Sequence, residues 1–304
     1  MVADDALVAL LRRLDRSGYD FVTPTPLTHE RVVNARQEPA HSLRDIFGWS
    51  LPFSAAAIEP ELLELLRSAE AVAASGDELR SRYRVSRVGG HLFLHSAYPT
   101  DQADSIFLGP DTYRFVRLVA QQGPIAASRL IDMGSGSGAG GICAAAVVPN
   151  ASVVLVDSNP EALRLSRINA AAAGVAVETV EAASLDAVEG DFELVIANPP
   201  YLADPAGRAY RDGGGALGGQ CSLDWALSAA ARLAPGGRVL LYSGSAIVAG
   251  EDALRTGLEQ ALPALGCTLR YEEIDPDIFG EELEQPAYRG ADRIAAIGAV
   301  IERS

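Results

Sequence analysis

Apolar residues recur at helical spacing over residues 4–16, where Leu7, Leu10, Leu11 and Leu14 share one face. The same spacing holds over 59–74, with Leu62, Leu63, Leu65, Leu66, Ala69 and Val72, and Pro60 stands where a helix would open. Arg80–Val88 and His91–Tyr98 flank Gly89-Gly90, the signature of a β-hairpin with a two-residue turn. Residues 1–100 therefore read as a mostly helical N-terminal domain ending in a hairpin. From 101 to 304 the rhythm becomes strand alternating with helix. Strands are predicted at 128–132, 152–157, 176–181, 192–197, 238–243, 268–274 and 293–301, and helices at Glu161–Ala173 and Asp224–Leu233. This is the pattern of a doubly wound, mainly parallel α/β sheet of seven strands. The last two strands are joined without a clear helix, so they are expected to pair antiparallel.

Composition narrows the chemistry. The chain has 304 residues, 48% of them hydrophobic, enough for a substantial core. No long apolar run suggests a membrane span, and the N-terminus lacks a secretory pattern. Three scattered cysteines, Cys143, Cys221 and Cys267, form no metal or disulfide pattern, which fits a cytoplasmic setting. The net charge of −15 weighs against bulk nucleic-acid binding. Every basic residue is arginine, so a P-loop lysine and a lysine Schiff base are excluded.

Three motifs stand at predicted strand ends. The first strand runs into Asp132-Met-Gly-Ser-Gly-Ser-Gly138, the second ends in Asp157, and the fourth ends in Asn198-Pro-Pro-Tyr201. Gly136-x-Gly138-x-x-Gly141 also satisfies the dinucleotide fingerprint, so NAD is one candidate. S-adenosylmethionine is the other. Its ammonium would suit Asp132, a group NAD does not offer, and its carboxylate would meet the helix start. Asp157 would accept ribose hydroxyls of either cofactor.

The order Asp132-x-Gly134-x-Gly136-x-Gly138, Asp157, Asn198-Pro-Pro-Tyr201 resembles class I S-adenosylmethionine-dependent methyltransferases. Within them it is similar to the branch holding the HemK/PrmC-type glutamine-amide methyltransferases and the adenine amino-methyltransferases, over about 105–304. The resemblance implies S-adenosylmethionine as cofactor, held by Asp132, Gly134, Ser135, Gly136, Gly138, Asp157, Ser158 and Asn198, and an acceptor held by Asn198, Pro199, Pro200 and Tyr201. Ser105–Tyr113 resembles the segment that lies over the cofactor. It reads Gly109-Pro-Asp-Thr112 where the HemK-type pattern has Arg-Pro-Glu-Thr. An acid usual after the third strand is replaced by Ala182-Ala183-Ser184, which leaves Ser184 or Asp186 to contact the adenine amine.

The acceptor motif has a physical logic. An amide or aromatic amine is a poor nucleophile because its lone pair is delocalised. Two acceptors on its N–H bonds, the Asn198 side-chain oxygen and the Pro199 carbonyl, would draw the nitrogen toward sp³ and aim the lone pair. Pro199 and Pro200 stiffen the turn, and Tyr201 offers a flat face to a planar group. Positioning would then supply most of the rate.

The expected activity is methylation of nitrogen, first of a protein or peptide glutamine-like amide, then of an RNA base amine or a small-molecule amine. An NAD-dependent oxidoreductase and a catalytically silent scaffold are the readings from other classes. Three segments bear on substrate choice. The glycine-rich loop 203–220 reads as a lid carrying Tyr210, Arg211 and Asp212, or as a plain flexible loop. The loop 275–286 reads as an acidic rim or a solvated loop. Arg80, Arg82, Arg84 and Arg87 lie in one predicted hairpin, and Arg80, Arg82 and Arg84 would share one strand face that is either solvated or holds phosphate or an acidic protein surface. His91 and His95 read as packed rather than metal-bound.

Overall fold

The computed structural model describes residues 2–36, 40–102, 104–208 and 210–304. Helix α1 (Ala3–Arg16) buries Leu7, Leu10, Leu11 and Leu14, with Asp4 and Asp5 in its first turn and Arg13 and Arg16 in its last, the arrangement its dipole favours. Helices α2 (Pro26–Asn34) and α3 (Leu43–Phe47) follow, the latter closed by a Ser42/Asp45 capping box. Helix α4 (Pro60–Ser68) is shorter than its apolar spacing suggests. The chain leaves the helix at Glu70, which takes φ of 53°, and Val72 opens strand β1 (Val72–Ser75), paired with β2 (Glu78–Ser81). Apolar periodicity did not distinguish this change, because Leu66, Ala69 and Ala71 face the same core in either geometry.

The predicted hairpin forms around Gly89-Gly90, between β3 (Tyr83–Val88) and β4 (His91–Ser96). Both glycines have positive φ, as a type I′ turn requires. Its first strand does not extend back to Arg80, because Arg80 belongs to β2 and Arg82 lies between the two hairpins. The shared solvated arginine face is thus corrected. Arg84 is 3% exposed, donates from Nε to the Gly48 carbonyl at 3.0 Å, and lies over Phe21. Burial pulls its pKa down to about 10. His95, opposite it in register, is buried and bonds Ser86 Oγ at 2.9 Å.

The remaining elements are α5 (Pro110–Ala120), β5 (Arg129–Met133), α6 (Ala139–Ala144), β6 (Ser152–Asp157), α7 (Pro160–Ala173), β7 (Val177–Glu181), β8 (Phe192–Ala197), α8 (Gln220–Ala231), β9 (Leu233–Val248), β10 (Glu251–Asp252), α9 (Ala253–Ala261), β11 (Cys267–Asp275) and β12 (Arg293–Arg303). The sheet order is β11-β12-β9-β8-β5-β6-β7, with β10 against β9. Strands β7, β6, β5, β8 and β9 run parallel, while β12 lies antiparallel between β9 and β11. The seven predicted strands all appear, the antiparallel last pair among them.

Helix α7 joins the two parts of the chain. Its Ala162, Leu165 and Ile168 belong to the same hydrophobic core as Leu7, Leu10, Leu66 and Leu94. Buried Asn169 accepts from Leu94 N at 2.8 Å and donates from Nδ2 to Leu94 O (3.0 Å) and Ser137 O (2.8 Å). One side chain thus ties the hairpin, α7 and the glycine loop together. Among the described residues no helix is long and apolar enough to cross a membrane.

Candidate active site

Strands β5, β6 and β8 end side by side in register, Asp132 beside Leu155 and Ile196, so their C-terminal ends share one edge. A cavity of about 970 Å³ opens there, as ligand sites of such sheets do. Its lining brings together Asp132, Gly134, Ser135, Gly136, Asp157 and Ser158 with Asn198, Pro199, Pro200 and Tyr201. Gly138 sits one residue behind the lining, at φ of 79°, as the residue before α6.

The loop after β5 is built for close approach. Gly134 and Gly136 both have positive φ, and a Cβ on Gly134 would stand 2.7 Å from the Trp225 ring. Asp132 is 1% exposed, and its Oδ2 accepts from Gly141 N at 2.7 Å. Burial raises its pKa to about 7; the Gly141 N–H opposes the shift and nearby Asp157 adds to it. Asp132 thus takes one N–H of the first turn of α6, that of Gly141. Asp157 accepts from Gly136 N (2.8 Å) and Asn159 N (2.9 Å), and burial raises its pKa. Ser135 Oγ is buried without a partner.

Ser184 is a second correction. It is exposed, its hydroxyl accepts from Asp186 N and bonds Asp186 Oδ2, and neither residue lines the cavity. Ala182 and Ala183 line it instead.

At the end of β8 the Asn198 Oδ1 atom is buried and has no hydrogen-bond partner. Tyr201 is buried, edge-on to Tyr242 and tilted against Phe279, and lines the cavity. A Cβ at Gly244 would lie 2.4 Å from the Tyr201 ring, so that glycine lets β9 pack closely against it. The glycine-rich loop packs onto the Asn198–Tyr201 turn. Leu202 N donates to Arg211 O (3.1 Å) and Gly213 N to Leu202 O (2.8 Å). A Cβ on Gly213 would sit 1.9 Å from Gly218 O, and one on Gly218 would sit 2.3 Å from Tyr201 O. These glycines serve close packing. Tyr210, Arg211 and Asp212 do line the cavity, and the Tyr210 hydroxyl donates to Thr100 O at 2.7 Å.

Sequence reasoning missed two walls. One comes from the N-terminal part, with Leu27, Glu30 and Tyr98. No local motif marks them, since the hairpin and α2 reach the cavity only through tertiary packing. The other is Trp225 of α8 under Gly134. In the acidic loop, Glu281 and Glu282 line the cavity, Glu282 paired with Arg211, while Asp275 pairs with Arg114 at 2.9 Å.

The glycine bends, the unpartnered Ser135 hydroxyl and the two buried carboxylates form a donor and acceptor set that fits S-adenosylmethionine, whose ammonium and ribose hydroxyls need acceptors. The dinucleotide alternative leaves the orphaned Asn198 oxygen unexplained.

Comparison with known proteins agrees. Residues 114–211 match the family model described as the methyltransferase small domain. A release factor glutamine methyltransferase from Deinococcus radiodurans is 34% identical over 198 residues, 60% of this chain and 66% of the relative. Another from Rhodospirillum rubrum is 29% identical over 206 residues, 66% of this chain and 60% of the relative. The chain thus spans about two thirds of the length of these relatives, or slightly less. A 16S rRNA N2 G1207 methyltransferase (RsmC) of T. Thermophilus aligns with a TM-score of 0.48 and 16% identity, over 80% of this chain and 62% of that one. Motif order, the family-model match and the two sequence relatives lead to one assignment: the protein is a class I S-adenosylmethionine-dependent methyltransferase with a methyltransferase small domain over residues 114–211, homologous to the release factor glutamine methyltransferases.

Proposed function

We propose that the protein methylates the side-chain amide of a glutamine in a protein substrate, in the cytoplasm. The observation that carries this reading is the Asn198 oxygen, a buried acceptor with no partner, at the end of β8 beside the cavity. A buried acceptor left without a donor costs about 1–3 kcal/mol, which a substrate N–H would recover. The relatives named release factor glutamine methyltransferase support the choice of an amide.

When bound, S-adenosylmethionine supplies an electrophilic sulfonium methyl. Asp132 would accept from its ammonium and Asp157 from its ribose hydroxyls, with Ser135 and Ser158 beside them and Gly134, Gly136 and Gly138 giving the backbone its bends. Asn198 Oδ1 and the Pro199 carbonyl accept the two N–H bonds of the amide. They draw its lone pair out of conjugation and hold the nitrogen in one orientation. Pro199 and Pro200 keep the carbonyl from turning away, so the acceptors are preorganised. Burial of the turn excludes water from competing for the same acceptors.

A cationic small-molecule amine is the second reading, favoured by one observation. Glu30, Asp101, Asp104 and Glu281 line the mouth, while the two cavity arginines are already paired, Arg208 with Asp204 and Arg211 with Glu282. An RNA acceptor is disfavoured by the same charge.

The test is transfer of labelled methyl from S-adenosylmethionine into the protein, RNA and small-molecule fractions of a cell extract, with Asn198→Ala alongside. Label in the protein fraction, lost in the variant, supports the amide reading. Label only in the small-molecule fraction replaces it with the amine reading.

A further inference from the structure

Behind the Asn198–Tyr201 turn, residues from several elements converge on one carboxylate. Asp111 lies in the first turn of α5 yet is 5% exposed. An aspartate there ordinarily caps its own helix or meets solvent. Here the capping interaction is made by Thr112, whose Oγ1 accepts from Gly109 N. The Asp111 side chain turns inward. Its Oδ1 accepts from the Tyr242 hydroxyl of β9 at 2.7 Å, and the Tyr242 ring meets the Tyr201 ring edge to face, 6.4 Å between centroids. Arg114, one turn further along α5, stands 3.4 Å from Asp111 and 2.9 Å from Asp275 at the end of β11.

We infer that Asp111 is a positioning residue for the acceptor turn: by holding the Tyr242 hydroxyl, and through that ring the Tyr201 ring packed against it, it fixes where Asn198 Oδ1 and the Pro199 carbonyl stand. The inference rests on the reading of that turn as the acceptor grip. The path from Asp111 to Asn198 is short and stiff. Tyr201 is buried, with its ring against Tyr242, Phe279 and the close backbone of Gly244. Between Tyr201 and Asn198 lie only two prolines, whose fixed φ passes the placement on. Arg114 balances the charge of Asp111 and links it to the acidic loop at the mouth. Without Asp111, the buried Tyr242 hydroxyl loses its acceptor, and the two packed rings are free to shift. A displacement of about 1 Å in such a grip costs on the order of a hundredfold in rate.

Two readouts test the role, one of which does not depend on activity. Methyl transfer to a glutamine peptide is measured for Asp111→Ala, Asp111→Asn, Tyr242→Phe and the Asp111→Ala/Tyr242→Phe double variant, with the S-adenosylmethionine Kd from calorimetry. We expect kcat to fall about a hundredfold for Asp111→Ala and about tenfold for Asp111→Asn, which keeps one acceptor. The cofactor Kd should stay within about threefold of wild type, and the double variant should be no worse than Asp111→Ala, because the two residues act as a unit. In parallel, hydrogen exchange of residues 197–203 should quicken in both Asp111 variants while the loop 134–138 keeps its wild-type rate. Wild-type kcat in Asp111→Ala, additive losses, or equal losses in kcat and cofactor affinity would overturn the inference. If Asp111→Ala does not fold, Asp111→Asn and Tyr242→Phe decide the same comparison. A wild-type enzyme inactive on the amide would sink the acceptor reading, whereas unchanged exchange at 197–203 would sink the role of Asp111 alone.

Discussion

Asp132 and Asn198 carry opposite kinds of unsettled chemistry. Asp132 is a buried carboxylate whose pKa is raised to about 7, so the folded protein holds a proton there that the unfolded chain releases near the ordinary value of 3.8. The sign follows from linkage. This group favours the folded state at low pH, and that contribution is lost as pH rises from about 4 to about 7. A cationic cofactor reverses the preference, because an ammonium beside the carboxylate favours the ionised form. Binding of S-adenosylmethionine should therefore release about one proton per site at pH 6 and almost none at pH 8, with affinity rising between them. Calorimetry in buffers of different ionisation enthalpy measures this directly, and pH-independent binding without proton release would show that Asp132 does not face the ammonium. Asn198 holds an acceptor that no protein group uses. Asn198→Ala should not lower thermal stability, since no internal bond of that oxygen is lost and an unpaired buried acceptor is removed, while transfer collapses.

At the scale of elements, the glycine-rich loop 203–220 is where local reading and tertiary packing part. Gly213 and Gly218 sit where a methyl group would overlap the backbone of the Tyr201 turn, whereas Gly215 has open space around its would-be Cβ. Gly213→Ala should destabilise the protein by about 1–3 kcal/mol and reduce transfer, and Gly215→Ala should do neither. Thermal melts and turnover of the two variants separate a packed loop from a freely moving lid. The difference between these glycines was not legible in the chain, because it depends on which backbone lies opposite. Strands, by contrast, were legible wherever apolar runs of strand length ended at a motif: β6 and β8 appear with their predicted bounds. The end of α4 was not, since the turn at Glu70 needs a positive φ that no glycine announces. Arg84 shows the same limit for burial. Its alternation with Arg80 and Arg82 suggested one wet face, but a break between two hairpins and the Gly48 carbonyl place it inside. The cofactor and acceptor motifs were readable because each lies at a strand end, where sheet order alone brings them together. The Leu27, Glu30 and Tyr98 wall was unreadable, because it comes from a separate part of the chain.

The whole molecule is bound together at α7. Leu165, fully buried, faces a core shared with α1 and α4, and Asn169 hydrogen-bonds both β4 and the glycine loop. A boundary at residue 100 therefore cuts through a continuous core. Heat or denaturant should unfold the chain in one transition rather than two, and Leu165→Ala should lower its stability by about 2–5 kcal/mol without splitting it. Calorimetry of the wild type and the variant checks this, and two separated transitions would contradict it. The same arrangement sets the N-terminal residues as a wall of the cavity, so the acceptor must pass between them and the acidic loop to reach Asn198.

The most direct measurement follows the fate of the methyl group. The protein is incubated with a glutamine-containing peptide and S-adenosylmethionine labelled in the methyl, and the modified peptide is hydrolysed in acid. An N-methylated glutamine amide breaks down to glutamate and labelled methylamine. We predict methylamine from the wild-type reaction and none from Asn198→Ala. Label that stays on the peptide residue after hydrolysis would place the methyl on another atom and contradict the account.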